Sequence, residues 1–162
     1  EVAIAGDEVL VLRGGTVYRM AAAALFAYAS LVDGTDTTTI NTIDVWVPIA
    51  GTLLQGSTSS SFSYAANQFT YNGITQAVPT RLSAKMSLLR VGGGSDIYEV
   101  GVFVNGILVG TGMSCTAQPS IEGFTYTENP HIMQTGDIID MRVRNTSGTA
   151  DCIITSAQLA IG

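Results

Sequence analysis

Few residues in this chain could do chemistry. The single histidine, His131, stands in Glu-Asn-Pro-His-Ile-Met, residues 128–133. A serine triad needs that imidazole beside a nucleophile and a carboxylate. No Gly-x-Ser-x-Gly marks a nucleophile elbow, so His131 reads as a loop histidine. Asp33, Asp36 and Asp44 are loosely spaced and lack a calcium-loop pattern, so they read as solvated turn acids. Glycoside cleavage needs two facing carboxylates, and no pair stands out among the 13 acids. Gly92 to Asp96 (GGGSD) is followed by neither Lys-Ser/Thr nor a helix, which makes it a turn and not a phosphate loop. Cys115 and Cys152 form no Cys-x-x-Cys and have no histidine cluster near them. They read as small buried hydrophobes, with pairing left open. Trp46, Tyr64, Phe69, Tyr71, Phe124 and Tyr126 are the aromatics that could stack on sugars, although aromatics alternating along strands more often pair within a sheet. The expectation is a protein that is not an enzyme, with no catalytic residues, no cofactor and no metal.

The bulk properties narrow the class further. The chain has 162 residues, which suits one domain with an appendage. Charged residues are only 12% while hydrophobic ones reach 46%. Soluble domains carry about 25% charge, so much of this surface is either hydroxyl-rich or covered by neighbours. A net charge of −6 with 7 Lys and Arg argues against a nucleic-acid partner. No apolar run reaches the roughly 18 residues that span a bilayer, so no membrane partner is expected. The run Ala21 to Ala29 does not read as a signal peptide in this position. Two isolated cysteines suit assembly in a reducing cytoplasm.

The order of elements begins with a hairpin. Glu8–Arg13 and Thr16–Met20 are short apolar strands joined by Gly14-Gly15, where both turn positions tolerate positive φ. The alanine-rich Ala21–Ser30 then predicts a helix. It is apolar all round, so it must pack on its own domain or on another chain. Leu31–Thr39 is a polar break with Asp33-Gly34.

Beyond residue 40 the chain reads as strands. Thr80–Arg90 alternates cleanly: Leu82, Ala84, Met86 and Leu88 on one side, Arg81, Ser83, Lys85 and Ser87 on the other. Asn105-Gly106 between Val104 and Ile107 predicts a type I′ hairpin. Val100, Val102 and Val104 share one face, yet Phe103 on the other face is apolar too. In a single sandwich only the inner face needs burial, so the second face predicts cover from a neighbouring subunit. Ile139, Met141 and Val143 alternate with Ile138, Asp140, Arg142 and Arg144; Ala157, Leu159 and Ile161 share a face of the last strand. The fold class is therefore all-β, an antiparallel jelly-roll sandwich preceded by an N-terminal β-hairpin and one helix. The expected division is 1–30 as an attachment segment, 31–41 as a linker and 42–162 as the head.

Three stretches carry a resemblance. Gly136-Asp137-Ile138 with Val143, followed by Ala157, Leu159 and Ile161, resembles the C-terminal pattern of jelly rolls of the tumour-necrosis-factor and complement-globular-head type. Phe69–Leu89 is similar to such folds as tailed bacteriophages use them, and the likeness covers roughly residues 40–162. Asp7–Leu25 looks like a hairpin-plus-helix module placed ahead of trimeric heads in phage fibre and decoration proteins.

The resemblance implies a homotrimer on a virion surface, assembled in the host cytoplasm. It implies a capsid decoration or cement protein that stabilises the shell, with the major capsid protein or a fibre shaft as partner. Val9, Val11, Tyr18, Met20, Leu25 and Phe26 would form the attachment. Val102, Phe103, Val104, Leu159 and Ile161 would lie at the subunit interface. Tyr126, Glu128 and Asn129 would sit on a candidate surface-binding loop. The alternative is the receptor-binding tip of a tail fibre that presents loops to host glycans, and a polysaccharide-degrading enzyme is the remote one.

Overall fold

The computed structural model describes residues 8–13, 16–21, 25–31, 34–76 and 79–162; for 8–13 and 16–21 it describes the backbone alone. In chain order the strands are β1 (Glu8–Arg13), β2 (Thr16–Ala21), β3 (Ala27–Leu31), β4 (Thr37–Thr38) and β5 (Val47–Pro48). Next come β6 (Leu53–Thr58), β7 (Phe62–Ala65), β8 (Gln68–Tyr71), β9 (Thr80–Arg90) and β10 (Asp96–Val104). The last are β11 (Ile107–Leu108), β12 (Met113–Ala117), β13 (Gly123–His131), β14 (Ile138–Asn145) and β15 (Cys152–Ile161).

Two sheets face each other, and every strand pair in them is antiparallel. One runs β13-β9-β15-β3-β6, with β4 also on β15. The other runs β11-β10-β14-β8-β7, with β12 also on β10 and β5 on β14. Leu82, Met86, Leu88, Ile154 and Leu159 from the first meet Phe69, Tyr71, Tyr98, Val100 and Ile139 from the second in one buried core. β1 and β2 form a separate two-stranded sheet, in register from Glu8↔Ala21 to Arg13↔Thr16.

Several of these elements follow directly from local chemistry. In β9 the four expected inward residues are fully buried, and Arg81 and Lys85 lie outside. At the β10–β11 turn Asn105 has φ 52° and Gly106 φ 78°, the left-handed pair that a type I′ turn requires. Among the described residues no helix is long and apolar enough to cross a membrane.

The predicted helix over Ala21–Ser30 is overturned where the structure describes it. Ala27–Leu31 is a strand set between β15 and β6. Alanine's helix preference amounts to about 1 kcal/mol or less per residue. Pairing on both sides satisfies backbone groups that the sheets would otherwise leave open. Ala27 and Ala29 face the core; Tyr28 and Ser30 alternate with them. The expected division at residues 30 and 41 shifts accordingly. β3 and β4 are both strands of the six-stranded sheet, so the head takes in residues assigned to the attachment segment and the linker. The expected Gly14-Gly15 turn and Ala22–Ala24 lie outside the described residues.

In β15 an extra residue, Thr155, stands between Ile154↔Leu88 and Ser156↔Ser87. One added residue reverses the side-chain parity. Cys152 and Ile154 therefore point inward before the bulge, and Ala157, Leu159 and Ile161 point inward after it.

Candidate functional site

The residues expected at the subunit interface are core residues of the single chain. Val102, Val104, Leu159 and Ile161 point between the sheets and are buried. Phe103 does face outward, yet it is only 4% exposed. Trp46 packs edge-on against its ring at 5.2 Å, and the Arg142 guanidinium lies 4.6 Å from the ring centre. Gly101 makes this cover fit: a Cβ there would stand 2.6 Å from Leu108 and 3.1 Å from Trp46. Arg144 stacks on Trp46 at 4.6 Å and is held by Glu99 and by Asp44 at 2.9 Å. Phe103 on the outward face of β10 is thus covered by the chain itself, through a tryptophan more than fifty residues away in sequence, while Ile97 on the same face stays exposed.

The expected surface-binding loop is the strand β13. Its polarity is the reverse of ordinary alternation. Gly123, Thr125, Thr127 and Asn129 are buried, while Phe124, Tyr126, Glu128 and Pro130 face out. The buried hydroxyls have work to do at the sandwich edge. Thr125 donates to the Met113 carbonyl at 2.8 Å and Thr127 to the Thr111 carbonyl at 2.9 Å. Asn129 donates to the Thr127 hydroxyl at 2.9 Å. These bonds tie β13 to the chain entering β12 and close that side of the sandwich. Asn129 is therefore a buried structural residue and is not displayed.

The outward side of β13 has a different character. Phe124 is 62% exposed and Tyr126 36%. The Tyr126 hydroxyl donates to Glu128, and Glu128 in turn meets Arg81 at 3.2 Å. That hydrogen bond raises the Tyr126 pKa, with lesser contributions from burial and the Glu128 charge. Lys85 approaches the Tyr126 ring at 5.6 Å. Register sets Phe124 opposite Ser87 and Tyr126 opposite Lys85; beyond these lie Ser156, Gln158 and Ala160 of β15, then Tyr28 and Ser30 of β3. The outward face of the six-stranded sheet thus carries small and amide side chains together with Arg81, Lys85 and Glu128, and aromatics at its border.

Of the expected attachment residues, Val9 pairs with Met20 and Val11 with Tyr18 across β1 and β2, and their side chains lie outside the described residues. Leu25 packs against the core, whereas Phe26 is exposed while its carbonyl accepts from the Ser59 amide at 2.8 Å.

His131 lies at the end of β13, within 3.1 Å of Asp137. Asp137 is buried and also accepts from the Asn105 amide and the Gln134 backbone, each at 2.8 Å. This cluster fastens the β10–β11 turn to the 134–137 turn. A cleft of about 340 Å³ opens beside it, walled by Val104, Ile107, Leu108 and Val109. Among the described residues no three His, Cys, Asp or Glu converge as metal ligands. Asp33 lies outside the described residues.

Both cysteines are free thiols. Burial pushes the Cys115 thiol up to about 11 and Cys152 to about 12, from an ordinary 9.0; the Asp151 charge adds to the second. A raised folded pKa favours the protonated fold. That contribution is fully present below about pH 9 and is lost as pH rises towards these values. Thiol labelling of the native protein at pH 8 should therefore be slow at both cysteines, becoming fast in denaturant. Cys115 is half-buried and Cys152 fully buried, so Cys152 should be the slower, and rapid native labelling of Cys152 would contradict its burial.

No protein-family model matches the chain, and no curated protein matches it. Solved structures do. Murine APRIL at pH 5.0 aligns with a TM-score of 0.53 at 10% identity, over 84% of this chain and 98% of its own. The PRD1 vertex protein P5 aligns with a TM-score of 0.52 at 10% identity, over 100% of this chain and 84% of its own. Eiger TNF from S. frugiperda aligns at 0.51 with 12% identity, over 85% and 92%. What these proteins share with the chain is a fold, the antiparallel jelly-roll sandwich of the tumour-necrosis-factor type.

Proposed function

We propose that this chain is a structural protein of a phage particle surface, a homotrimer whose copies meet through the outward face of the six-stranded sheet. The observation that carries this reading is the inverted polarity of β13. A strand that turns its threonines inward and its phenylalanine and tyrosine outward presents apolar surface to a partner. The adjoining serines and Ala160 let a facing backbone come close, and a trimer closes as a ring when this face meets a different surface of the next copy. Fold likeness over the whole chain to a vertex protein supports placement on a virion.

The role within the particle is that of a decoration or cement protein. Copies that bind only the assembled shell stabilise it by mass action. The segment carrying β1 and β2, with Val9, Val11, Tyr18 and Met20, is the proposed grip on the major capsid protein or on a fibre shaft. Deleting residues 1–24 spares every strand of the two large sheets, so the variant should sediment as a folded trimer and fail to bind undecorated capsids. Wild-type protein that sediments as single copies at micromolar concentration would overturn the trimer. Capsid binding that survives the deletion would overturn the attachment.

A further inference from the structure

We propose that the cleft beside the Asn105-Gly106 turn binds a neutral sugar. It has a volume of about 350 Å³, which is ligand-sized, and lies on the outward face of the seven-stranded sheet. Gln68, Asn105, Gly106, Ile138, Asp140 and Arg142 line it.

Asp140 is the unusual member. It is only 5% exposed, and one carboxylate oxygen accepts from Arg142 Nε at 3.0 Å. The other oxygen, Oδ1, is buried with no hydrogen-bond partner. A buried acceptor left unpaired is costly, and native structures rarely keep one without a use. Arg142 rests across the Phe103 ring, and binding requires its guanidinium to shift so that the buried Oδ1 opens to the cleft. A ligand hydroxyl entering beside it supplies the donor that Oδ1 lacks.

The charges decide the ligand class. Asp140 and Arg142 cancel within the cleft. An anionic ligand meets the carboxylate, a cationic one meets the guanidinium, and each is penalised on burial. An uncharged group that both donates and accepts suits the pair. The remaining guanidinium N–H groups donate, Asp140 Oδ1 accepts, and the half-buried Gln68 amide does both. Adjacent hydroxyls of a pyranose match that alternation, and exposed Ile138 offers the sugar's C–H face an apolar contact. The cleft faces away from the surface proposed for subunit contact. Occupancy of one cleft therefore stands without the trimer reading, while avidity from three clefts rests on it.

Saturation-transfer NMR with glucose, galactose and mannose at millimolar concentration tests the site. The expected result is transfer to at least one hexose. Asp140→Asn and Gln68→Ala should each weaken that hexose at least about tenfold. Asp140→Asn also leaves Arg142 uncompensated, so it should gain binding of galacturonate that the wild type lacks. Absence of transfer from all three hexoses sinks the proposal, as does unchanged hexose binding in both variants. Should Asp140→Asn fail to fold, Gln68→Ala alone decides. A negative result leaves the sedimentation behaviour untouched, so failure here and failure of the trimer are separable.

Discussion

Replacing Phe124 and Tyr126 together by aspartate is expected to convert the proposed trimer to single copies without unfolding the chain. Both side chains point away from the core, so their loss removes only the surface contacts of Tyr126 with Glu128 and Lys85. At 62% and 36% exposure the two side chains together have on the order of 200 Å² left to bury on assembly, which at about 25 cal/mol per Å² is worth roughly 5 kcal/mol before ordering costs. The substitution also brings two carboxylates per copy into a desolvated contact, beside the carboxylate of Glu128. A loss of about 4 kcal/mol per contact weakens association roughly a thousandfold. Sedimentation velocity at micromolar protein should then show one slow species, with the far-ultraviolet spectrum and melting of a folded β-sandwich. Trimers that persist would move the contact to another face. Phe103→Asp is the informative contrast. Its ring lies under Trp46 and Arg142 within one chain, so it should destabilise the fold and not the assembly.

Gly34→Ala should produce a large stability loss for a single added methyl. A Cβ at Gly34 would stand 2.4 Å from the carbonyl oxygen of Thr155 and 2.9 Å from its Cα. Those are backbone atoms, held in a bulge with paired residues on both sides, so no side chain can turn aside. Overpacking of a fixed site costs about 1–3 kcal/mol, and this contact belongs at the upper end. At roughly 2–4 °C per kcal/mol for a chain of this size, the melting temperature should fall by about 6–12 °C. The measurement is thermal unfolding followed by circular dichroism. A shift under about 2 °C would show that the 34–35 turn moves freely over the bulge. Gly93→Ala, which meets nothing within 4 Å, is the matched control and should lie near zero.

Physical reasons separate what could be read from the residues from what could not. The β9 face of Leu82, Ala84, Met86 and Leu88, and the Asn105-Gly106 turn, depend on neighbours within a few positions. They were legible because side-chain alternation and left-handed tolerance are local properties. Ala27–Leu31 was misread for the complementary reason. Its local preference for helix is small, and two strands that arrive from residues 53 and 152 onward overrule it. The candidate sites were less legible still. Phe103 signalled an uncovered face only because Trp46 was not known to reach it. Asp140 looked like one more outward polar residue of β14, and nothing local marks its unpaired oxygen or the nearness of Gln68.

By itself, the sequence determined that this protein is built of antiparallel strands with tight turns and a surface poor in charge. Those properties sum over residues i, i+2 and the turn types between them. Only the tertiary structure decided which apolar side chains stay exposed. It turned β13 inside out because Thr125 and Thr127 find carbonyl partners across the sandwich edge, and it covered Phe103 from a distant loop. Burial depends on what the rest of the chain brings alongside, and no window of neighbouring residues contains that information.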